Sequence, residues 1–121
     1  MYRSNSLRRI RKGKILLINN NFFIDDCQKP RRGSDHDIQA LERIFKSFGF
    51  SITYGIDLTE EGIKHTIARF KSEVLEGEEK CDMIVIAIMS HGTYGNSFFS
   101  SDNHKMSMDY IIKYAIDNQF F

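Results

Sequence analysis

A chain of 121 residues, 41% of them hydrophobic and 27% charged, has the composition of one globular domain and little room for a second. One proline, eight glycines and two cysteines exclude a collagen-like or low-complexity chain and a disulfide framework, and no stretch approaches the roughly 20 apolar residues of a membrane span. The net charge of +1 is unevenly spread: Arg3, Arg8, Arg9, Arg11, Lys12 and Lys14 stand without an acid at the start, leaving 11 basic against 16 acidic residues afterwards.

Residues 1–13 are expected to be a basic, disordered arm ahead of a domain over 14–121. Such an arm can touch nucleic acid by counterion release, although a solvated lead-in is the simpler expectation. It lacks the apolar segment of a secretory signal, so a cytoplasmic location without membrane contact is expected. After it, Lys14 to Ile18 is a continuous apolar run, the pattern of a strand buried on both faces of a parallel sheet. A loop containing Pro30 and Gly33 leads to Ser34, expected to cap a helix with Asp37 three residues on. Ile38, Leu41, Ile44, Phe45 and Phe48 then recur on one helical stripe, and Gly49 is placed to stop it.

Phe50 to Tyr54 alternates and is rich in β-branched and aromatic residues, which predicts a second strand. Thr59 is placed to cap the next helix, with Glu60 and Glu61 against its positive end. Ile63, Ile67, Phe70 and Val74 form its stripe. Met83 to Met89 is a third strand, apolar throughout and expected to be central in its sheet. A hairpin of Ser97–Phe99 and Lys105–Met106 turning at Asp102-Asn103 follows, and then a helix capped by Ser107. Strands alternating with helices imply an α/β fold of three layers, α-β-α, around a mostly parallel sheet.

In such sheets sites form at the carboxyl ends of the strands. The third strand runs out into Ser90-His91-Gly92, which puts an imidazole on that rim with a glycine N–H able to serve as an oxyanion donor. Arg31-Arg32-Gly33-Ser34-Asp35 leaves the first strand toward the same rim, and a guanidinium there suits a carboxylate. Taken singly, a structural histidine and a solvated basic loop account for these residues as well.

Four segments in order change that balance. Ile18-Asn-Asn-Asn-Phe22, Arg31-Arg-Gly-Ser-Asp-His-Asp37, Phe48-Gly-Phe50 through Asp57-Leu-Thr59, and Val85 to Gly92 followed by Ser100-Ser-Asp102 resemble the large-subunit half of a caspase. Caspases are cysteine peptidases that cut after aspartate and are linked to apoptosis. The resemblance implies that His91 is the catalytic histidine, that Gly92 supplies the oxyanion N–H, and that Arg31 holds the substrate aspartate, with Arg32 only its neighbour. No cofactor is implied. A metal site from Asp35, His36, Asp37 and His91 is disfavoured, because adjacent helical positions diverge.

The resemblance also implies a cysteine following a further strand, in a Gln-Ala-Cys-Arg-Gly type of segment, and a small subunit. Neither is found in residues 1–121, so the caspase-type sheet is expected to be incomplete and the nucleophile absent. Cys81 opens the strand that ends at His91, roughly 30 Å away at about 3.3 Å per residue. Cys27 lies on the correct rim but beside Asp25 and Asp26, a poor setting for a thiolate.

Three functions follow. The first is a catalytically inactive modulator or decoy that binds a caspase or a caspase regulator. The second is part of a true caspase that needs the missing half, with a small-subunit-like partner. The third is an anion-binding α/β module in which Arg31, Ser34 and a helix N-terminus cradle a phosphate.

Overall fold

Four successive aliphatic residues, Ile15 to Ile18, are wholly buried, and they lie in a strand with covered neighbours on both faces. The computed structural model describes residues 12–77 and 81–117. In it β1 (Gly13–Asn19) lies between β2 (Phe50–Ile56) and β3 (Met83–Met89), parallel to both. Leu16 and Ile18 point to one face and join Ile63, Ile67, Phe70 and Ile111. Ile15 and Leu17 point to the other and join Phe50, with Ile38, Leu41 and Phe45 packed against them. Each such buried aliphatic side chain contributes about 1.5–3 kcal/mol. The two faces are covered by helices, which gives the expected three layers.

On one face lies α1 (Ser34–Ser47). Its cap is Gly33 rather than Ser34: Gly33 sits at φ 81, and no side chain bonds the first turn. Ser34 is already the first helical residue and is buried, so its hydroxyl is not available to the cap. Gly49, at φ 83, ends the helix as expected. The stripe is only partly buried, since Ile44 and Phe48 are 50% and 61% exposed.

The other face carries α2 (Glu60–Glu76) and α3 (Met108–Asp117). The Thr59 hydroxyl accepts the Gly62 N–H at 3.0 Å, the expected cap, and Ile63, Ile67 and Phe70 are buried. The Ser107 hydroxyl accepts the N–H groups of Asp109 and Tyr110 at the start of α3. Lys71 is buried between the two helices, donating from Nζ to the Tyr114 carbonyl at 2.5 Å with its charge over the Tyr114 ring. It compensates carbonyls at the negative end of α3.

A second, antiparallel sheet holds β4 (Gly92–Thr93), β5 (Ser97–Phe99) and β6 (Lys105–Ser107). The expected hairpin is its β5–β6 pair.

A further expectation is corrected. β3 is not central: β1 is, and among the described residues β3 has a strand on one side only. A run of apolar residues reports burial of both faces, and it carries no information about how many edges are paired. The graded burial follows, with Ile15 to Ile18 wholly covered while every β3 residue keeps some exposure. Residues 1–11 of the basic arm and Phe120-Phe121 lie outside the described residues. Gly13, assigned to the arm from sequence, is the first residue of β1.

Candidate active site

The register of the main sheet sets the rim. Asn19 pairs with Ile56 on one side and Met89 on the other, so all three strands end level. The chain leaving β1 is then tied down residue by residue. Asn20 donates from its N–H to the Met89 carbonyl at 2.8 Å, and its buried Oδ1 accepts the Leu58 N–H at 2.8 Å. The Asp57 carboxylate accepts the N–H groups of Asn21 and Phe22 at 2.7 and 3.0 Å. Ile24 donates to the Ser101 carbonyl at 2.7 Å. A single 3-10 turn over Ile24–Asp26 then sends the chain back across the strand ends.

That return brings Arg31 over the ends of β1 and β3. Its Nη1 donates to Asn19 Oδ1 at 2.5 Å and to the carbonyls of Asn20 and Met89 at 3.2 and 3.3 Å. One nitrogen of the fork is therefore committed to the scaffold. Arg31 stays half-buried.

His91 follows β3 after Ser90, whose hydroxyl donates to the Phe99 carbonyl at 2.5 Å. The His91 carbonyl accepts the Phe99 N–H at 2.9 Å. The imidazole bonds through Nε2 to the main-chain carbonyl of Lys29 at 2.5 Å and lies against the buried Phe23 ring, 5.2 Å between centroids. A carbonyl can only accept, so Nε2 carries the hydrogen and Nδ1 is left as the ring's proton acceptor. Lys29, Pro30, Arg31, Arg32 and His91 line one open cleft of about 680 Å³. The imidazole and the guanidinium thus face a common space with no acid in its lining.

Gly92 is exposed and opens β4. A Cβ built on it would meet only the Ser97 carbonyl oxygen, at 3.7 Å. Packing inside the chain places no demand for glycine there. Neither cysteine lines the cleft. Cys27 is exposed after the 3-10 turn, and Cys81 precedes β3, at the far end of that strand from His91. Among the described residues no group of three or more His, Cys, Asp or Glu side chains can hold a metal. Ser34 is buried with its N–H on the Arg31 carbonyl, and it is not part of the cleft wall.

With that geometry in place, the similarity to known proteins is decisive. Residues 12–121 match the caspase domain family. The chain belongs to the caspase family. It is 28% identical over 101 residues to caspase drICE of Drosophila melanogaster, a match covering 84% of this chain and 29% of that protein. With caspase b of Danio rerio the identity is 35% over 83 residues, covering 69% and 20%. The solved structure of the Drosophila initiator caspase Dronc superposes with a TM-score of 0.75 at 17% identity, over 91% of this chain and 46% of that one. The structure of pro-sf-caspase-1 gives 0.70 at 22%, over 81% and 40%. At these identities the solved structures show the fold. The chain spans less than a third of the length of these two curated relatives.

In this caspase-family chain the resembling segments map onto the rim with one exception. Ile18 to Phe22, Asp57 to Thr59 and Val85 to Gly92 begin or end at the carboxyl ends of β1, β2 and β3, Arg31 is bonded to Asn19 and Met89 at those ends, and Ser101 is tied there to Ile24 and Leu58. Phe48 to Phe50 lies at the opposite end, where β2 starts. No helix among the described residues is long and apolar enough to cross a membrane.

Sequence reasoning did not find the Lys29 carbonyl, the Phe23 ring or the Asn19 side chain. A main-chain acceptor has no residue-type signature. Asn19 was legible as part of the Ile18–Phe22 segment, with no role of its own attached.

Proposed function

We propose that this chain carries the histidine and arginine of an aspartate-directed cysteine-peptidase site, that it does not hydrolyse peptides by itself, and that it modulates caspases by binding them or their regulators in apoptosis. The single observation that supports this is the cleft that holds His91 and Arg31 and has neither cysteine in its wall. Arg31 offers a cation to an aspartate side chain. Nδ1 of His91 is a base without an adjacent thiol to deprotonate, and the Gly92 N–H is an oxyanion donor without an acyl-enzyme to stabilise. Without a nucleophile the acyl-transfer cycle has no first step.

The partner is a protein chain that adds a strand at β3, whose outer edge is unpaired among the described residues. An unpaired strand edge is a template for such addition. To test this, the purified chain is mixed with an active caspase, and binding is measured together with turnover of an Asp-containing peptide. The reading expects a complex and altered turnover. Absence of both would overturn it.

A second reading is favoured by coverage, because the chain matches only 20–29% of the length of these two relatives. On that reading it is the large-subunit part of a caspase whose remaining half supplies the thiolate. Co-expression with a caspase small subunit and the cysteine-bearing segment then yields Asp-directed cleavage that is lost in His91→Ala. A silent reconstituted complex removes this alternative.

A further inference from the structure

We infer that Asn19 is the positioning residue of the carboxylate pocket, holding the Arg31 guanidinium so that its remaining nitrogens face the cleft; the inference rests on Arg31 being the aspartate-binding cation. Asn19 is only 8% exposed. Its main chain is held on both sides, by pairing with Ile56 through the Asp57 N–H on its carbonyl at 2.9 Å, and by lying opposite Met89 in the β1–β3 ladder. Its Oδ1 is therefore a stationary acceptor, and it makes the shortest of the three bonds to Arg31 Nη1. Among the described residues the other guanidinium nitrogens make no hydrogen bond, which leaves them to a ligand carboxylate in the bidentate geometry that arginine favours.

The residue type matters as much as the place. An amide accepts from the guanidinium without neutralising it, so the pocket keeps its positive charge. Aspartate at 19 would hold the same nitrogen but would offset the charge that draws the ligand. An aliphatic residue would leave Nη1 to two longer carbonyl contacts and let the fork rotate. Asn19 touches no ligand itself; it acts through Arg31.

The test uses the full chain with N-acetyl-aspartyl methylamide as probe and its asparaginyl counterpart as the uncharged control. Guanidinium rotation at Arg31 is read from the 15N line shapes of its Nη groups, and probe affinity from the same spectra. Asn19→Ala should speed the rotation and weaken aspartyl binding about tenfold, as expected for losing one charge-assisted hydrogen bond, without changing asparaginyl binding. Asn19→Asp should keep the rotation slow and still weaken aspartyl binding, a split that a purely structural role would not produce. If aspartyl binding is lost in Arg31→Lys but unchanged in Asn19→Ala, the positioning role is wrong while the carboxylate pocket stands. If Arg31→Lys leaves aspartyl binding intact, the pocket itself is wrong, and the rotation in Asn19→Ala alone decides whether Asn19 holds the guanidinium.

Discussion

The Nε2 atom of His91 bonds the main-chain carbonyl of Lys29 at 2.5 Å, so a loop leaving β1 fixes the ring of a residue leaving β3. The acceptor is backbone, and the Lys29 side chain contributes nothing to the bond. The neutral ring is therefore expected as the Nε2–H tautomer, visible in 15N correlation spectra as a protonated Nε2 and a bare Nδ1. Lys29→Ala should leave that pattern unchanged. A ring found as the Nδ1–H tautomer would mean that the Lys29 carbonyl does not hold it.

Gly92 and Gly13 should respond oppositely to alanine. At Gly92 a methyl group finds only one atom within 4 Å, at 3.7 Å, so Gly92→Ala should change stability by no more than about 0.5 kcal/mol. At Gly13 the same methyl would stand 2.4 Å from the ring of Phe50, which is buried against Ile15 and Leu17. Overpacking of that kind costs about 1–3 kcal/mol. Urea midpoints at constant slope measure both. A large loss in Gly92→Ala would show that the chain, and not a ligand, requires glycine beside His91.

Asp102 ties the β5–β6 turn to α2. Its Oδ1 accepts the Glu60 N–H at 3.0 Å and the Ser100 hydroxyl at 2.5 Å, and His104 Nδ1 stands 2.8 Å from Glu60 and 3.5 Å from Asp102. Burial pushes the Asp102 carboxyl up, but the hydrogen bonds from Ser100 and the Glu60 main chain outweigh it and hold the group below its ordinary 3.8. Lys64 first and His104 second hold Glu60 below its ordinary 4.5. Both carboxyls are depressed in the folded state. The stability they contribute is therefore complete above the ordinary carboxylate range and is lost as the pH falls below it. Asp102→Ala removes a helix cap and should cost about 1–2 kcal/mol at neutral pH. Asp102→Asn keeps an acceptor, so it should cost less and flatten the acid limb of the stability profile. An unchanged acid limb in Asp102→Asn would rule out this carboxylate as its source.

How far the molecule was legible in its sequence depends on which force sets each feature. The helices and strands were readable because apolar spacing encodes burial of a face, and Ile63, Ile67 and Phe70 are buried as spaced. The caps at Thr59 and Ser107 were readable because a hydroxyl must sit at that offset from the first free N–H groups. Ser34 misled because the loop before α1 enters through a left-handed glycine, so the helix begins a residue earlier than a serine cap would place it. The position of β3 misled because edge pairing leaves no mark in side-chain hydrophobicity. At the site, His91 and Arg31 were readable as an imidazole and a guanidinium on a rim. Their supports were not, since Lys29 acts through its main chain and Asn19 through a contact set by strand register.

The edge of β3 yields the prediction that ties fold to function. In a parallel pair only alternate residues of an outer strand bond to its neighbour, and the amides between them face away. β1 is paired on both sides and carries four wholly buried residues. Its amides should therefore exchange with solvent at rates set by global opening, the slowest in the chain. Across Met83–Met89 every second amide should exchange much faster, in an alternating pattern that reports directly on the edge left unpaired among the described residues. Binding of a partner chain by strand addition should slow that fast set and leave the β1-bonded set unchanged. Uniform slow exchange along β3 in the isolated chain would show that some other segment already covers the edge, and the partner would then have to bind elsewhere.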